Sequence, residues 1–303
     1  MNEMIVVAGS LNMDMVTHVD HIPRAGETIL GGDAKMVPGG KGANQAYAAG
    51  KLGGRVVMLG AAGTDSSGDQ MVNNLNTVRV DTSRIQRSGQ VTSGAAWICV
   101  NSEGNNAIVV IPGANQCCDA SYIRENRQVI EDCGYLLVQL EIPMEAAVEA
   151  ISIAHGAGRY VILNPAPGRD DIPREIFRMV DLITPNETEL FQLTGESASG
   201  TSMEEIERQA QKVLELGVGK VLVTLGEKGS LLVGPEGKKR FEAPRVKAVD
   251  TTAAGDCFNG ALAVRLAEGA GLEDAVRFAG AASAIAVQRE GAQTSIPDRS
   301  EIE

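Results

Sequence analysis

Short apolar runs rich in β-branched residues alternate with helix-patterned stretches along most of this chain, and that rhythm leaves few folds open. The runs fall at 5–8, 56–59, 135–140, 160–163, 182–184, 221–224 and 231–233. Between them the apolar spacing predicts helices near 42–52, 67–77, 120–131, 144–157, 202–216, 257–268 and 272–288. A strand that is apolar at consecutive positions must be covered on both faces, and helices between successive strands supply that cover. The expected fold is α/β, a three-layer sandwich around a mostly parallel central sheet.

Two regions break the rhythm. Residues 12–36 and 92–111 read as extended segments with no helix between their strands. In the second, two apolar runs flank Asn101-Ser-Glu-Gly-Asn-Asn106, a hairpin signal. Both runs are apolar on both faces, so one face is expected to cover a ligand and the other a partner subunit. The plainer alternative makes the hairpin part of the main core. At 303 residues the chain could form one large α/β domain or two small ones. Without a repeat or long linker, it reads as a single domain over 1–303.

A net charge of −12 with no run of Lys or Arg argues against nucleic acid or an anionic membrane as partner. An anion would have to be held locally, by backbone amides and a metal ion. Neither a basic segment leading into an apolar one nor a membrane-length apolar run is found, so the expected location is the cytoplasm. The five cysteines match no C-x-x-C spacing and are expected to be free thiols, with no role apparent for the adjacent Cys117 and Cys118. Three histidines make a His-based zinc site or a Ser-His-Asp triad improbable.

The chemistry concentrates at 249–261, Val-Asp-Thr-Thr-Ala-Ala-Gly-Asp-Cys-Phe-Asn-Gly-Ala. Asp250 and Asp256 bracket a turn of small residues that leads into a helix. Ala253, Ala254 and Gly255 can bring backbone N–H groups together at a helix N-terminus, which suits a phosphoryl group in transfer. Asp256 is then placed to take a proton from an attacking hydroxyl. The plain alternative is an N-cap on the helix at 257–268.

Other segments add to this. Gly39-Gly40-Lys41-Gly42-Ala43-Asn44 is not a Walker A loop, and its glycines would let backbone approach a small polar ligand. Asn44 could be only a cap. Asn12 and Asp14 lie two apart in an extended segment, so their side chains share a face, as an amide and a carboxylate gripping sugar hydroxyls would. Asn186 and Glu189 have the spacing of a capping box, and could also stand near a phosphate-bound Mg²⁺ through water. Thr224, Leu225, Gly226, Glu227, Lys228 and Gly229 follow a strand, where α/β sheets bind ligands, and Glu141 follows another.

Gly39–Asn44, Asn164-Pro-Ala-Pro167, Thr184–Glu189, Thr224–Gly229 and Asp250–Asp256 occur in the order seen in ribokinase-like carbohydrate kinases. The resemblance extends from about Val7 to Pro297 and includes Arg289-Glu-Gly-Ala-Gln-Thr-Ser295. It implies ATP-dependent phosphorylation of ribose at O5. By that resemblance Asn12, Asp14, Gly40, Lys41, Gly42, Asn44 and Glu141 would line the sugar pocket, and Asp256 would be the general base. The amides of Ala253 to Asp256 would form an anion hole. ATP would lie across Asn186, Thr224 to Gly229, Gly255 and the helix bearing Gly280, where some relatives carry a larger side chain near the adenine. Potassium would be held by Asp250, Thr252, Ala286, Arg289, Gly291 and Ser295, mostly through backbone oxygens. A small β-sheet lid from the 12–36 and 92–111 segments would pair two subunits into a homodimer. The nearest alternatives are a kinase for 2-deoxyribose, another sugar or a nucleoside, and then a non-catalytic sugar sensor. A nicotinamide oxidoreductase is weaker, because the first strand leads into Gly9-Ser-Leu-Asn rather than G-x-G-x-x-G.

Overall fold

The computed structural model describes residues 2–103, 105–196 and 202–302. Gly104, in the expected hairpin turn, lies outside them. In chain order the strands are β1 (Met4–Ala8), β2 (Asn12–His18), β3 (Ala34–Gly39), β4 (Arg55–Leu59), β5 (Ala61–Gly63), β6 (Gln86–Ser88) and β7 (Gly94–Val100). They continue as β8 (Asn106–Ile111), β9 (Tyr135–Val138), β10 (Tyr160–Leu163), β11 (Leu182–Ile183), β12 (Lys220–Thr224), β13 (Ser230–Gly234) and β14 (Gly237–Phe241).

The main sheet has eight strands in the order β14-β13-β12-β11-β10-β9-β1-β4. Every pair from β12 to β4 is parallel, and β13 and β14 add an antiparallel edge. Alternate side chains of one strand enter opposite cores: Val6 and Ala8 go to one, Ile5 and Val7 to the other. Helices Met144–Gly156, Glu187–Thr194 and Met203–Glu215 contribute to the first core. Helices Lys41–Lys51, Ser66–Thr77, Ala254–Ala267 and Leu272–Ala286 contribute to the second. This is the three-layer sandwich that the apolar runs predict.

Some boundaries differ for local reasons. The helix expected over 120–131 is two, Ala120–Glu125 and Arg127–Glu131. At the break the Asn126 amide donates to the Tyr122 carbonyl, competing with the helix ladder. β14 gives no apolar signal because Gly-Lys-Lys-Arg-Phe is an edge strand whose lysines and arginine face solvent.

The segments 12–36 and 92–111 stand apart from the main sheet, although Met13 packs into the second core. β2, β3, β7 and β8 form a separate four-stranded sheet in the order β3-β2-β7-β8. Its apolar residues are open to solvent: Trp97 is 54% exposed and Val109 64%.

Small residues let helices Lys41–Lys51 and Ala254–Ala267 come together. A Cβ on Gly260 would stand 2.6 Å from Ala48 Cβ and 2.7 Å from the Gln45 carbonyl oxygen. No side chain fits that gap, so Gly260 sets the distance between the two helices. We expect Gly260→Ala to lose about 1–3 kcal/mol of stability through overpacking. Urea unfolding checks this, and an unchanged midpoint would mean that the helices separate without cost.

Candidate active site

Asp256 lies in the first turn of helix Ala254–Ala267, which begins three residues earlier than the apolar periodicity suggests. It is therefore not the N-cap. That position belongs to Ala253, a non-glycine residue in the left-handed region at φ 56°. Such a conformation costs an alanine about 1–2 kcal/mol and is found where a site constrains the backbone. The Ala254 N–H bonds back to the Thr251 carbonyl at 3.2 Å, which takes it out of the anion hole expected over Ala253 to Asp256. Among the described residues, the N–H groups of Gly255 and Asp256 have no acceptor. A Cβ on Gly255 would meet nothing within 4 Å, so open space lies before it.

The other helix of the pair is closed at its start. Lys41 N–H donates to Glu141 Oε2 at 3.0 Å, Gly42 N–H to Ser10 Oγ at 3.4 Å, and Ala43 N–H to the Ser10 carbonyl at 2.8 Å. Of the two N-termini, only that of Ala254–Ala267 keeps first-turn donors for an anion. Asn44 is not a cap, because it lies inside helix Lys41–Lys51.

Asn44 and its neighbour grip the Asp256 carboxylate. Asn44 Nδ2 donates to Asp256 Oδ2 at 2.9 Å, and Gln45 Nε2 donates to Oδ1 at 2.9 Å. Burial pushes the Asp256 carboxyl above the usual range, opposed by Lys41 and by these two donors. Lys41 is itself held above its ordinary value: burial lowers it, but Asp256, Glu141, Glu189 and Asp14 together outweigh burial. Among the described residues, the candidate site thus sets the half-buried Lys41 ammonium among four carboxylates. Asp14 has its pKa pushed up to about 7, first by burial and then by Glu141 and Asp256.

Gly39, Gly40 and Gly42 are required first by the packing of the chain itself, which fills the space a side chain would take. A Cβ on Gly42 would stand 2.5 Å from the Gly9 carbonyl carbon, and one on Gly39 would stand 2.1 Å from the Asp14 carboxylate. These glycines press the loop against the β1–β2 turn and give Asp14 room. A Cβ on Gly226 or Gly280, like one on Gly255, would meet nothing within 4 Å.

Asn186 and Glu189 form a full capping box on helix Glu187–Thr194, with bonds of 2.8 and 2.9 Å. The box uses Glu189 Oε2, and a carboxylate has a second oxygen to accept from water. Asn186 also pairs with Thr224 through a parallel bridge, which joins the two expected nucleotide loops. Asp250 accepts from Thr252 N–H and Gly291 N–H, each at 2.8 Å, and is held below its usual range by those bonds against the effect of burial. Those bonds gather the 250–252 and 289–295 segments that carry Thr252, Arg289, Gly291 and Ser295. Ala286 is brought to them by the Arg289 N–H, which bonds its carbonyl at 3.0 Å.

Several polar residues had no assigned part in the sequence. Ser10 donates to Glu141 Oε2 at 2.5 Å, and Asn115 holds Asn12 Oδ1 at 2.7 Å. Gln45, Gln139, Asn164 and Gln293 are buried around Asp256. Only adjacency to the glycine loop could have pointed to Gln45. Nothing local marks Ser10, Asn115 or Gln139.

The pattern of the pfkB family carbohydrate kinases matches residues 2–299. A ribokinase of Haemophilus influenzae is 39% identical, over 99% of this chain and 97% of its own length. A deoxyribokinase of Salmonella typhi is 34% identical, over 97% of this chain and 95% of its own. The solved structure of Arabidopsis thaliana ribokinase complexed with ribose and ATP superposes with a TM-score of 0.92 at 34% identity, covering 100% of this chain and 98% of that one.

Asp14 gives a pH test. Its folded-state pKa is raised from 3.8 to about 7, so its ionisation costs stability. That cost is absent below the unfolded value, grows as pH rises through the interval and is complete above about 7. We expect Asp14→Asn to melt higher than the wild type at pH 8, by the equivalent of a few kcal/mol, with the gap closing near pH 4. Equal melting at pH 8 would mean that Asp14 carries no such strain.

Proposed function

Because this chain belongs to the pfkB family of carbohydrate kinases, we propose that it transfers the γ-phosphoryl group of ATP to the 5-hydroxyl of D-ribose. The products are D-ribose 5-phosphate and ADP. One observation carries the reading most: Asp256, held on both oxygens, lies in the same helical turn as N–H groups without an acceptor among the described residues, and the space at the Gly255 Cβ position is open.

The sugar side is assigned to Asn12, Asp14, Gly40, Lys41, Gly42, Asn44 and Glu141. Asp256 accepts the proton of the 5-hydroxyl as its oxygen attacks the γ-phosphorus and the bond to the leaving ADP oxygen breaks. A carboxylate is too weak a base to ionise a sugar hydroxyl beforehand, so proton transfer accompanies attack. The N–H groups of Gly255 and Asp256 meet the charge that grows on the phosphoryl oxygens. Lys41 supplies the one cationic side chain amid Asp14, Glu141, Glu189 and Asp256. The nucleotide is assigned to Asn186, Gly280 and the Thr224–Gly229 turn, where Gly226 and Gly280 leave the room it needs.

Mg²⁺, when bound with the nucleotide, neutralises phosphate charge. Asn186 and Glu189 fit it only through water, since their direct bonds are already given to each other. Potassium fits the junction that Asp250 gathers, where Thr252, Ala286, Arg289, Gly291 and Ser295 offer mostly backbone oxygens. There it would order the turn that carries Ala253 and Gly255.

The exposed apolar face of the second sheet is read as a homodimer interface, with the whole chain acting as one unit. Trp97, Val109 and their neighbours are a contiguous apolar surface of the kind that marks a partner site. The cytoplasm is the proposed location: no helix among the described residues is long and apolar enough to cross a membrane, and the five cysteines are unpaired.

A substrate panel tests the reading. ADP release from Mg-ATP should depend on D-ribose, exceed that with 2-deoxyribose, fructose or adenosine, and rise with potassium. Faster turnover of 2-deoxyribose would move the chain to the other sugar represented among its relatives. Asp256→Asn should lower kcat by about 10²–10⁴-fold while calorimetry still detects ribose binding. Near-normal turnover in that variant would remove Asp256 as the base. In sedimentation the wild type should run as a dimer and Val109→Lys as a monomer, whereas identical sedimentation would exclude this face as the interface.

A further inference from the structure

Two chains of buried carboxamides end on the two oxygens of Asp256. In one, Gln139 Nε2 donates to Gln45 Oε1 at 2.6 Å, and Gln45 Nε2 donates to Asp256 Oδ1 at 2.9 Å. The same Gln45 nitrogen donates to Asn164 Oδ1, also at 2.9 Å. In the other, Asn74 Nδ2 donates to Gln293 Oε1 at 2.5 Å, Gln293 Nε2 to Asn44 Oδ1 at 3.0 Å, and Asn44 Nδ2 to Asp256 Oδ2 at 2.9 Å. Gln45 and Gln139 are wholly buried, and Gln293 nearly so.

The direction of both chains follows from the group at their end. An ionised carboxylate only accepts, so the amide beside it must present N–H. That choice turns its carbonyl away and requires a donor from the next amide, and so on outward. The far end must then show the consequence. Gln139 Oε1 is one of the few buried side-chain atoms without a partner among the described residues. Turning Gln139 over would set its oxygen against Gln45 Oε1. Turning both over would set the Gln45 oxygen against the carboxylate. The orphan acceptor is therefore the terminus of a chain polarised by Asp256, which accounts for an otherwise unfavourable feature.

Gln293 adds a second link. It opens the turn Gln293–Ser295, two residues after Gly291, whose N–H is held by Asp250. Any shift of that segment moves the amide that orients Asn44. We propose that Gln45 and Gln293 are positioning residues for the transfer: together they fix both oxygens of Asp256 as acceptors, and Gln293 ties that geometry to the 289–295 segment. This rests on the kinase reading for its catalytic meaning but not for the chains themselves. The charged groups facing Asp256 are Lys41, Asp14, Glu141 and Glu189, and none belongs to either chain.

The test uses Gln45→Met and Gln293→Met, which keep the shape and remove the donors. With ribose and Mg-ATP, both should lose kcat on the order of ten- to a hundredfold, with KM for ribose changed by less than about threefold. The acid limb of kcat/KM should move upward by about one pH unit, a tenfold change in the protonation equilibrium. Unchanged kcat and acid limb in either folded variant, or a loss confined to KM, would overturn the proposal. A readout on the ligand-free wild type needs neither turnover nor a folded variant. Side-chain amide resonances of Gln45, Gln139, Asn44 and Gln293 should shift with one midpoint, that of the Asp256 carboxyl carbon. Amides that ignore that titration would sink the proposal even if ribose is phosphorylated. Amides that follow it, in a protein that leaves ribose untouched, would sustain the chains and reject only the substrate.

Discussion

A carboxylate buried against amides rather than against an arginine is the constraint around which this molecule is arranged. Removing an ion like Asp256 from water costs several kcal/mol even after relaxation. Hydrogen bonds to a charged group return about 1.5–3 kcal/mol each, so Asn44 and Gln45 alone roughly offset that cost without exceeding it. The balance agrees with the direction of its titration, upward despite two donors and Lys41. A bidentate guanidinium would stabilise the charge further and make it a poorer proton acceptor. Amides hold the oxygens in place and leave the basicity almost intact.

That choice dictates the packing. Amide side chains are short, so the helices bearing Asn44, Gln45 and Asp256 must lie close, and Gly260 against Ala48 allows it. The helix carrying the amides must also start where the β1–β2 turn ends. Ser10 and Glu141 fix that start by consuming its first N–H groups. One N-terminus is thereby closed by protein while the other keeps its donors. The glycines divide along the same line, with Gly9, Gly39 and Gly42 packed against the chain and Gly226, Gly255 and Gly280 beside open space. A protein of net charge −12 can in this way offer an anion local N–H donors despite its overall field.

The sandwich was legible because parallel strands covered on both faces leave long apolar runs, and every strand of the parallel part has one. β14 was not, since an edge strand needs no apolar face, and the break at Asn126 turns on a single side-chain bond. In the site, residues within dense motifs were legible: Asp256, Asn44 and Lys41 come together as the family resemblance implies, and the Asn186–Glu189 pair caps as its spacing implies. The glycines in the 39–42 loop also serve the chain's own packing, which sequence does not reveal because it does not say what a missing side chain makes room for. Gln139, a lone amide in an apolar run, gave no signal, and Gln293 lay in the 289–295 segment without a role of its own. Their partners lie 94 and 249 residues away in sequence.

What remains is why the ligand-free protein tolerates four carboxylates around one lysine. Burial first, and then the charge of neighbouring carboxylates, raises the proton affinity of Asp14, Glu189 and Asp256, and brings Asp14 to about 7. Such a cluster is a net cost to folding, and the sandwich must supply the stability that offsets it. The cost has a direction that suits the chemistry. On the kinase reading proposed above, a ligand whose hydroxyls donate to Asp14 and Glu141 would relieve repulsion already present. A phosphoryl group entering beside Lys41 would do the opposite to Asp256, adding negative charge near it and raising its affinity for a proton. Asp256 would then gain basicity as the nucleotide arrives.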